Sequence, residues 1–517
     1  MKKFLPVIFL SFVTCNIFAQ STFIKYLDCG TSTCNAKEAI ITKEGEIAIL
    51  RVFIGDSKNK MHLTKFTQDG TFLSDWLFED TEGNELIFHK VTGTADGGFI
   101  FTGHFHPKGP FGDACLAKVD AAGNLQWIRR FEGDSDTPQE YGRAVFQTAN
   151  GEYLMFQSML NTTFLMRLDA GGNILWSKKM NNLYLNDAIQ LVDGSLVTAM
   201  TNIADSLKYK LRAIKFDENG NVIWARQLKS MNYLEGHKVI QLTDKSLVFD
   251  AISITSLGDT TMPLIRLDSS GNLLWAKTFL PFPLSTKVTE LHITAENNGN
   301  IGVGVAAYSQ NASFLKLNSQ GNILASKKFA LQYFKMADIE KTPDNGFFLC
   351  GKVRSGNNSS PQAYLLKTNA DGIIGCNTKS VAFVSKSYTD ITSQPFTLNP
   401  YIAINISSFT NLTVTVANED YTTHCFFNYR NAFDSITDFD SSTIAFPNPF
   451  ESSVTITLPD DKNYTVYISD QEGRVLQVHN NILEQFIAGK NLLPGFYFAQ
   501  LISEDGSQQN IKIVKSE

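Results

Sequence analysis

Three sets of residues have types and spacing that could do chemistry. Glu132, Asp134, Asp136 and Glu140 crowd the stretch FEGDSDTPQE. They bring enough oxygens to assist a calcium ion, which takes roughly six to eight, but no EF-hand loop pattern surrounds them and a solvated acidic loop is the expectation. His104 and His106 would project to one side of a strand and could begin a transition-metal site. Pro107 ends any such strand, so surface histidines are expected there. The third set is the cysteines. Seven are present, and removal of Cys15 with an N-terminal leader leaves Cys29, Cys34, Cys115, Cys350, Cys376 and Cys425, an even number suited to an oxidising compartment. Cys29 with Cys34 and Cys376 with Cys425 are candidate pairs, while Cys115 and Cys350 read equally well as buried free thiols.

Signatures of catalysis are missing. No G-x-S-x-G elbow, H-E-x-x-H helix or phosphate-cradling glycine loop occurs, and Asp187, Asp205 and Asp338 cannot be assembled into an acid–base couple from sequence alone. The reading leans away from an enzyme and calls for no cofactor. Net charge is −6 with Lys and Arg scattered, which leaves no cationic stripe for nucleic acid.

The element that must position any site is a repeat. LDAGGNILW, from Leu168 to Trp176, returns as FDENGNVIW, LDSSGNLLW and VDAAGNLQW, a strand, a tight turn and a strand. Turn glycines recur about every fifty residues, at Gly70, Gly123, Gly172, Gly220, Gly271, Gly321 and Gly372. A second turn falls between them at Gly45, Gly97, Gly151, Gly194, Lys245, Gly299 and Gly346. Four short β-prone strands per period predict a β-propeller blade, and seven turn pairs predict seven blades. In the turn, Asp is expected to accept backbone N–H groups, Gly to supply positive φ, and Asn to tolerate strained backbone.

Trp127, Trp176, Trp224 and Trp275 each follow the turn glycine by four residues and are expected to pack between blades; Ser74, Ala325 and Cys376 stand at that step elsewhere. The spacing is reminiscent of the tryptophan-docking repeats of quinoprotein dehydrogenases, but no residues gather for a quinone. Kelch and WD signatures do not recur. The strand FIKYL, 23–27, precedes the first blade and is expected to complete the last one, so that 20–376 form one closed propeller without open edges. Both tight turns of a blade lie on one face, which assigns ligand binding to the opposite, irregular face.

The ends carry the remaining information. Lys2, Lys3, an apolar run and Ala19 predict a signal peptide over 1–19, and no later stretch is long enough for a membrane helix. Residues 377–430 read as a small β-rich accessory segment, 431–443 as a linker, and 444–517 as a β-sandwich of alternating strands. The last segment holds Pro447, Asn448 and Pro449, then Asp470, Gly473 and Arg474, then Leu493, Gly495 and Tyr497, and finally Lys512 to Lys515. In that order these residues resemble the type A C-terminal sorting domain of the type IX secretion system of Gram-negative bacteria, here following a secreted β-propeller repeat. The resemblance implies passage through the periplasm, recognition of the tail by the outer-membrane translocon, and release or surface attachment. The expected function is a binding or adhesion module for a glycan or protein ligand. The alternative is a secreted enzyme, such as a glycan-processing hydrolase, with its site at the mouth of the propeller channel.

Overall fold

The computed structural model describes the chain from 22 to 516 apart from connecting segments, of which 133–139, 203–209, 282–287, 354–361, 396–404 and 417–443 are the longest. Among the described residues every regular element is a strand, in keeping with the Val, Ile, Phe and Thr content of the repeats. The chain divides into two compact units, Met1–Tyr429 and Arg430–Glu517. Cys29, Cys376 and Cys425, and the stretches 1–19 and 431–443 expected to be a leader and a linker, lie outside the described residues.

Among the described residues of the first unit, seven antiparallel sheets share one propeller-like plan. The third is typical, with Glu140–Gln147, Tyr153–Met159, Thr162–Leu168 and Ile174–Asn181 neighbouring in chain order. Its last turn shows why the motif recurs. Gly172 donates to the Asp169 carbonyl at 3.0 Å and Asp169 donates to the Asn173 carbonyl at 2.9 Å, which puts Gly172 at φ +80°. A side chain there costs about 1–2 kcal/mol. The Asp169 carboxylate accepts the N–H groups of Gly171 and Asn173 at 2.9 and 2.8 Å, and the Asn173 amide donates back to it at 2.9 Å. Asn173 has no positive φ, so the Asn orients the Asp and does not absorb backbone strain as the sequence suggested.

The last unit differs by one residue from expectation. Asn345, φ +68°, takes the left-handed position assigned to Gly346, and Gly346 is needed because a Cβ there would lie 2.2 Å from the Thr368 carbonyl oxygen.

The turn glycines also let neighbouring sheets approach. A Cβ on Gly172 would lie 2.7 Å from the Trp127 ring of the preceding sheet, and one on Gly220 2.6 Å from Trp176. The indoles of Trp127, Trp224 and Trp275 donate to the carbonyls of Ala170, Ser269 and Ser319 in the next turn at 3.1, 3.0 and 3.0 Å. Where the tryptophan is missing at its usual step, another ring takes the place: Trp76 against Gly123, Phe314 against Gly372, and Phe23 against Gly70. Phe23 belongs to Phe23–Leu27, which pairs with Gln362–Thr368 and supplies the fourth strand of the last sheet. It therefore joins the last sheet to the first. The first strands follow the same circuit: each neighbours the next, from Thr33–Ile41 to Lys335–Lys341 and back.

The segment after 376 is not the separate accessory unit expected from sequence. Thr378–Ser380 pairs with Ile323–Phe329, Phe383–Ser387 with Leu273–Pro281, and Thr392–Pro395 with Val222–Lys229. Asn405–Ser408 then pairs with Leu125–Glu132, and Leu412–Val416 with Phe72–Asp80. Each is an antiparallel fifth strand on an outer edge, and the order runs backwards through the sheets: sixth, fifth, fourth, second, first. The segment forms a belt around the rim. An outer strand exposes a row of backbone donors and acceptors that a short strand can satisfy, and this draws the segment onto the repeat unit.

Cys115 and Cys350 are buried free thiols. Cys34 is not among the free thiols.

The second unit holds a three-stranded sheet of Ile444–Phe446, Val454–Thr457 and Gln485–Ala488, and a four-stranded one of Val475–Ile482, Tyr464–Ser469, Gly495–Ser503 and Gln508–Lys515. Val454, Ile456, Val466, Ile468, Leu501 and Ile513 from both sheets share one buried core.

Candidate binding channel and sorting tail

Each first strand of the repeat carries a β-bulge midway. The unpaired residues are Lys37, His89, Arg143, Asn186, His237 with Lys238, Thr289 and Ala337. A bulge re-aims side chains and backbone along a strand edge, and here the edges line the central channel. Next to the bulges, or for Lys238 within one, stand Glu38, Lys90, Asp187, Lys238, Glu290 and Asp338. Lys90 reaches Glu38 at 2.9 Å and Asp187 at 3.4 Å, while Lys238 reaches Asp338 at 2.6 Å and Glu340 at 3.0 Å. The carboxylates also accept N–H groups from the following sheet: Glu38 from Val91 at 2.7 Å, Asp187 from Val239 at 3.0 Å, Glu290 from Met336 at 2.6 Å and Asp338 from Ala39 at 3.2 Å. One group thus fastens two sheets and balances a lysine.

Burial alone would lower the Lys90 ammonium, but Glu38, Asp187 and Asp338 outweigh it and hold it above its ordinary value. Burial pushes Glu340 up to about 7 against the pull of Lys238, whereas Lys238 and Lys90 overcome burial at Asp338 and keep it low. Asp187 and Asp338, which the sequence could not pair, each hold a lysine of this ring, Lys90 and Lys238 respectively; Asp205 lies outside the described residues.

The two ends of the channel differ. First strands run towards the tight turns, and at that end a cavity of about 560 Å³ is lined by Val192, Gln241, Asn297 and Pro343 together with Lys238 and Glu340. Sequence reasoning pointed to the opposite face, most of whose connections lie outside the described residues.

The histidines lie towards that opposite face. The strand Phe99–His106 does run through both His104 and His106, and His104 is buried, not a surface residue. Its Nδ1 lies 2.7 Å from Nε2 of His89, its ring meets His106 edge-on at 4.7 Å and Tyr141 at 5.0 Å, and Arg143 stacks on Tyr141 at 4.7 Å and Tyr184 at 4.6 Å. Burial, reinforced by His106, Arg143 and Lys37, holds His104 down to about 3. Burial and His104 likewise hold His89 well below the usual histidine range. Lys37, His89 and Arg143 escaped the sequence reading because a bulge is a property of register, which a single strand does not display.

Among the described residues no group of metal-ligating side chains gathers. Glu132 ends its strand, Asp134 and Asp136 lie outside the described residues, and Glu140 is not a solvated loop residue: it is buried and accepts from the Gln157 amide at 2.6 Å.

In the tail, Pro447, Asn448, Pro449, Gly473 and Arg474 lie outside the described residues, and Asp470 directly follows Tyr464–Ser469. Phe450, next to the opening motif, donates to the Val514 carbonyl at 2.8 Å and accepts from the Ser516 N–H at 2.9 Å. Lys515 lies 5.9 Å from the Phe450 ring and donates to the Glu451 carbonyl, while Lys512 faces Phe498 in the strand register. Gly495 opens the penultimate strand, and the Tyr497 hydroxyl donates to the Leu493 carbonyl at 2.7 Å. Phe450 and Glu451 are thus clasped to the closing strand. Residues 444–516 match the family described as the secretion system C-terminal sorting domain. The tail is a type IX sorting domain.

The sorting domain implies export to the cell surface or secretion. No helix among the described residues is long and apolar enough to cross a membrane. No curated protein matches the chain. Among solved structures it is similar to PorZ, a surface component of the type IX secretion system of Porphyromonas gingivalis, at 12% identity and TM-score 0.36, covering 93% of this chain and 59% of that one. This chain therefore spans less than two thirds of PorZ. It is also similar to a protein of unknown function from Dyadobacter fermentans, at 11% identity and TM-score 0.38 over 68% and 98% of the two chains. A third is the polysaccharide lyase Uly1, at 9% identity and TM-score 0.42 over 65% and 90%. Nothing about function passes to this chain from scores this low.

Proposed function

We propose that the protein is a seven-bladed β-propeller carried across the outer membrane by its type IX sorting tail, where it binds a glycan or protein ligand at the channel. The sorting domain over 444–516 is the observation that carries this reading. Its edge strand Val475–Ile482 leaves Val475, Leu476 and Val478 exposed, an apolar face suited to the translocon. Cys29 is the partner we assign to Cys34, closing a short loop beside the N-terminal strand. Deleting residues 444–517 should leave the protein in the periplasm on cell fractionation. Normal surface delivery of the truncated chain would refute the route. Glycan-array binding by the exported protein tests the ligand, and a blank array points to a protein partner.

A hydrolase is the second reading, favoured by Glu340. Burial raises it to about 7 at the cavity of the tight-turn face, and it shares Lys238 with Asp338, whose carboxyl is held low. Two carboxyls driven apart in this way are the arrangement of a general acid and its partner. Release of reducing sugar from a polysaccharide panel, abolished by Glu340→Gln, would establish it; no release from any polysaccharide removes it.

A further inference from the structure

The lysines of the channel ring are each matched by two carboxylates, but the cations of the other end are not. Lys37, His89 and Arg143 occupy the bulges of three consecutive first strands. Among the described residues no carboxylate pairs with Lys37 or Arg143. Arg143 is half-buried and its Nε finds no acceptor, although Tyr141 and Tyr184 fix the guanidinium plane from two sides. Buried guanidinium N–H groups left without acceptors cost far more than the same groups facing an anion.

The histidine pair adds a donor. One ring nitrogen of His89 and one of His104 are used on each other at 2.7 Å. With both rings neutral, a single proton bridges them, and of the two remaining nitrogens one carries N–H and the other a lone pair. His89 and His104 both meet the Tyr141 ring, at 5.6 and 5.0 Å, on which Arg143 also stacks at 4.7 Å, and Lys37 takes the equivalent bulge of the neighbouring first strand, so these groups share one stretch of the channel. Fixed donors and an excess of positive charge without a counter-ion are what an oxyanion requires.

We propose that Arg143, Lys37 and the free N–H of the His89–His104 pair form a seat for one oxyanion, a carboxylate, sulfate or phosphate group borne by the channel ligand. This rests on the reading of the channel as a ligand site and names the chemistry of that ligand. Arg143 supplies the oriented fork, held by the two tyrosines; Lys37, exposed, supplies charge. The ion pairs around Lys90 and Lys238 leave neither lysine without carboxylate partners.

The test is isothermal titration calorimetry on the full exported chain with sodium sulfate, sodium phosphate, an oligo-uronate and a neutral oligosaccharide of equal length. Lys37→Gln, Arg143→Gln and Arg143→Lys are compared with Lys60→Gln, which removes an exposed lysine paired with Glu79. We expect at least one anion to bind, and its affinity to fall about tenfold or more in Arg143→Gln and severalfold in Lys37→Gln. Arg143→Lys should fall in between and Lys60→Gln should not change. The exposed Lys37 keeps the test independent of folding. No anion binding, or binding unchanged in both Gln variants, overturns the seat. A neutral oligosaccharide bound equally by all variants overturns the seat and leaves the binding reading standing. Small anions bound and lost in Arg143→Gln, with no oligosaccharide or protein partner found, support the seat and sink the reading that it serves a larger ligand.

Discussion

Asp250 illustrates how far burial can move one side chain in this molecule. It lies on Leu247–Ile254, 1% exposed, with one oxygen accepting the Lys238 N–H and the other without a partner among the described residues. Burial raises its carboxyl to about 8. Across the interval from about 4 to 8 the folded chain holds a proton that the unfolded chain has released, so stability falls as pH rises through that window. Asp250→Asn should remove this loss. Its urea midpoint should exceed that of the natural protein at pH 9 and not at pH 4; equal midpoints at both pH values would show that Asp250 carries no such coupling. Nothing in LVFDAIS marked this residue, since an Asp inside an apolar strand looks the same in sequence whether it faces water or a neighbour's backbone. Asp169 was legible for the opposite reason. Its partners at Gly171 and Asn173 are local, so spacing alone revealed them.

Elements were readable where their cause is local and hidden where it is remote. The Gly-to-Trp step disclosed hairpins and a contact between sheets, because one glycine must satisfy both a left-handed turn and a crowding indole. Gly220→Ala tests this: the position has φ +69° and Trp176 at 2.6 Å from an added Cβ, while Gly151, φ +84°, has nothing within 4 Å. Gly151→Ala should cost only the backbone strain, about 1–2 kcal/mol, and Gly220→Ala clearly more by urea unfolding. Equal losses would mean that the indole gives way. The bulges that create the channel site were not readable, since a bulge exists only between two strands. Nor was the belt: Leu412–Val416 and its fellows have strand composition, but their partners lie from 49 to 340 residues earlier and the sequence names no edge.

At the scale of the whole molecule the belt makes a prediction of its own. Five outer strands owe their edge partners to it, and an unpaired edge is a template for association between chains. Removing residues 378–429 should shift the protein to larger species on size-exclusion chromatography with light scattering, relative to the intact chain. An unchanged mass would show that the rims protect themselves. The strand Phe23–Leu27 carries a different consequence, one of timing. It pairs with Gln362–Thr368, so Phe23 must meet Lys367 before the last sheet is whole. Bringing those ends together has an entropic cost on the order of 5 kcal/mol in a flexible chain. In a polypeptide exported from its N-terminus, the strand that crosses first is the one used last. It stays single through nearly the entire passage, and the last sheet is completed only after Gln362–Thr368 has arrived.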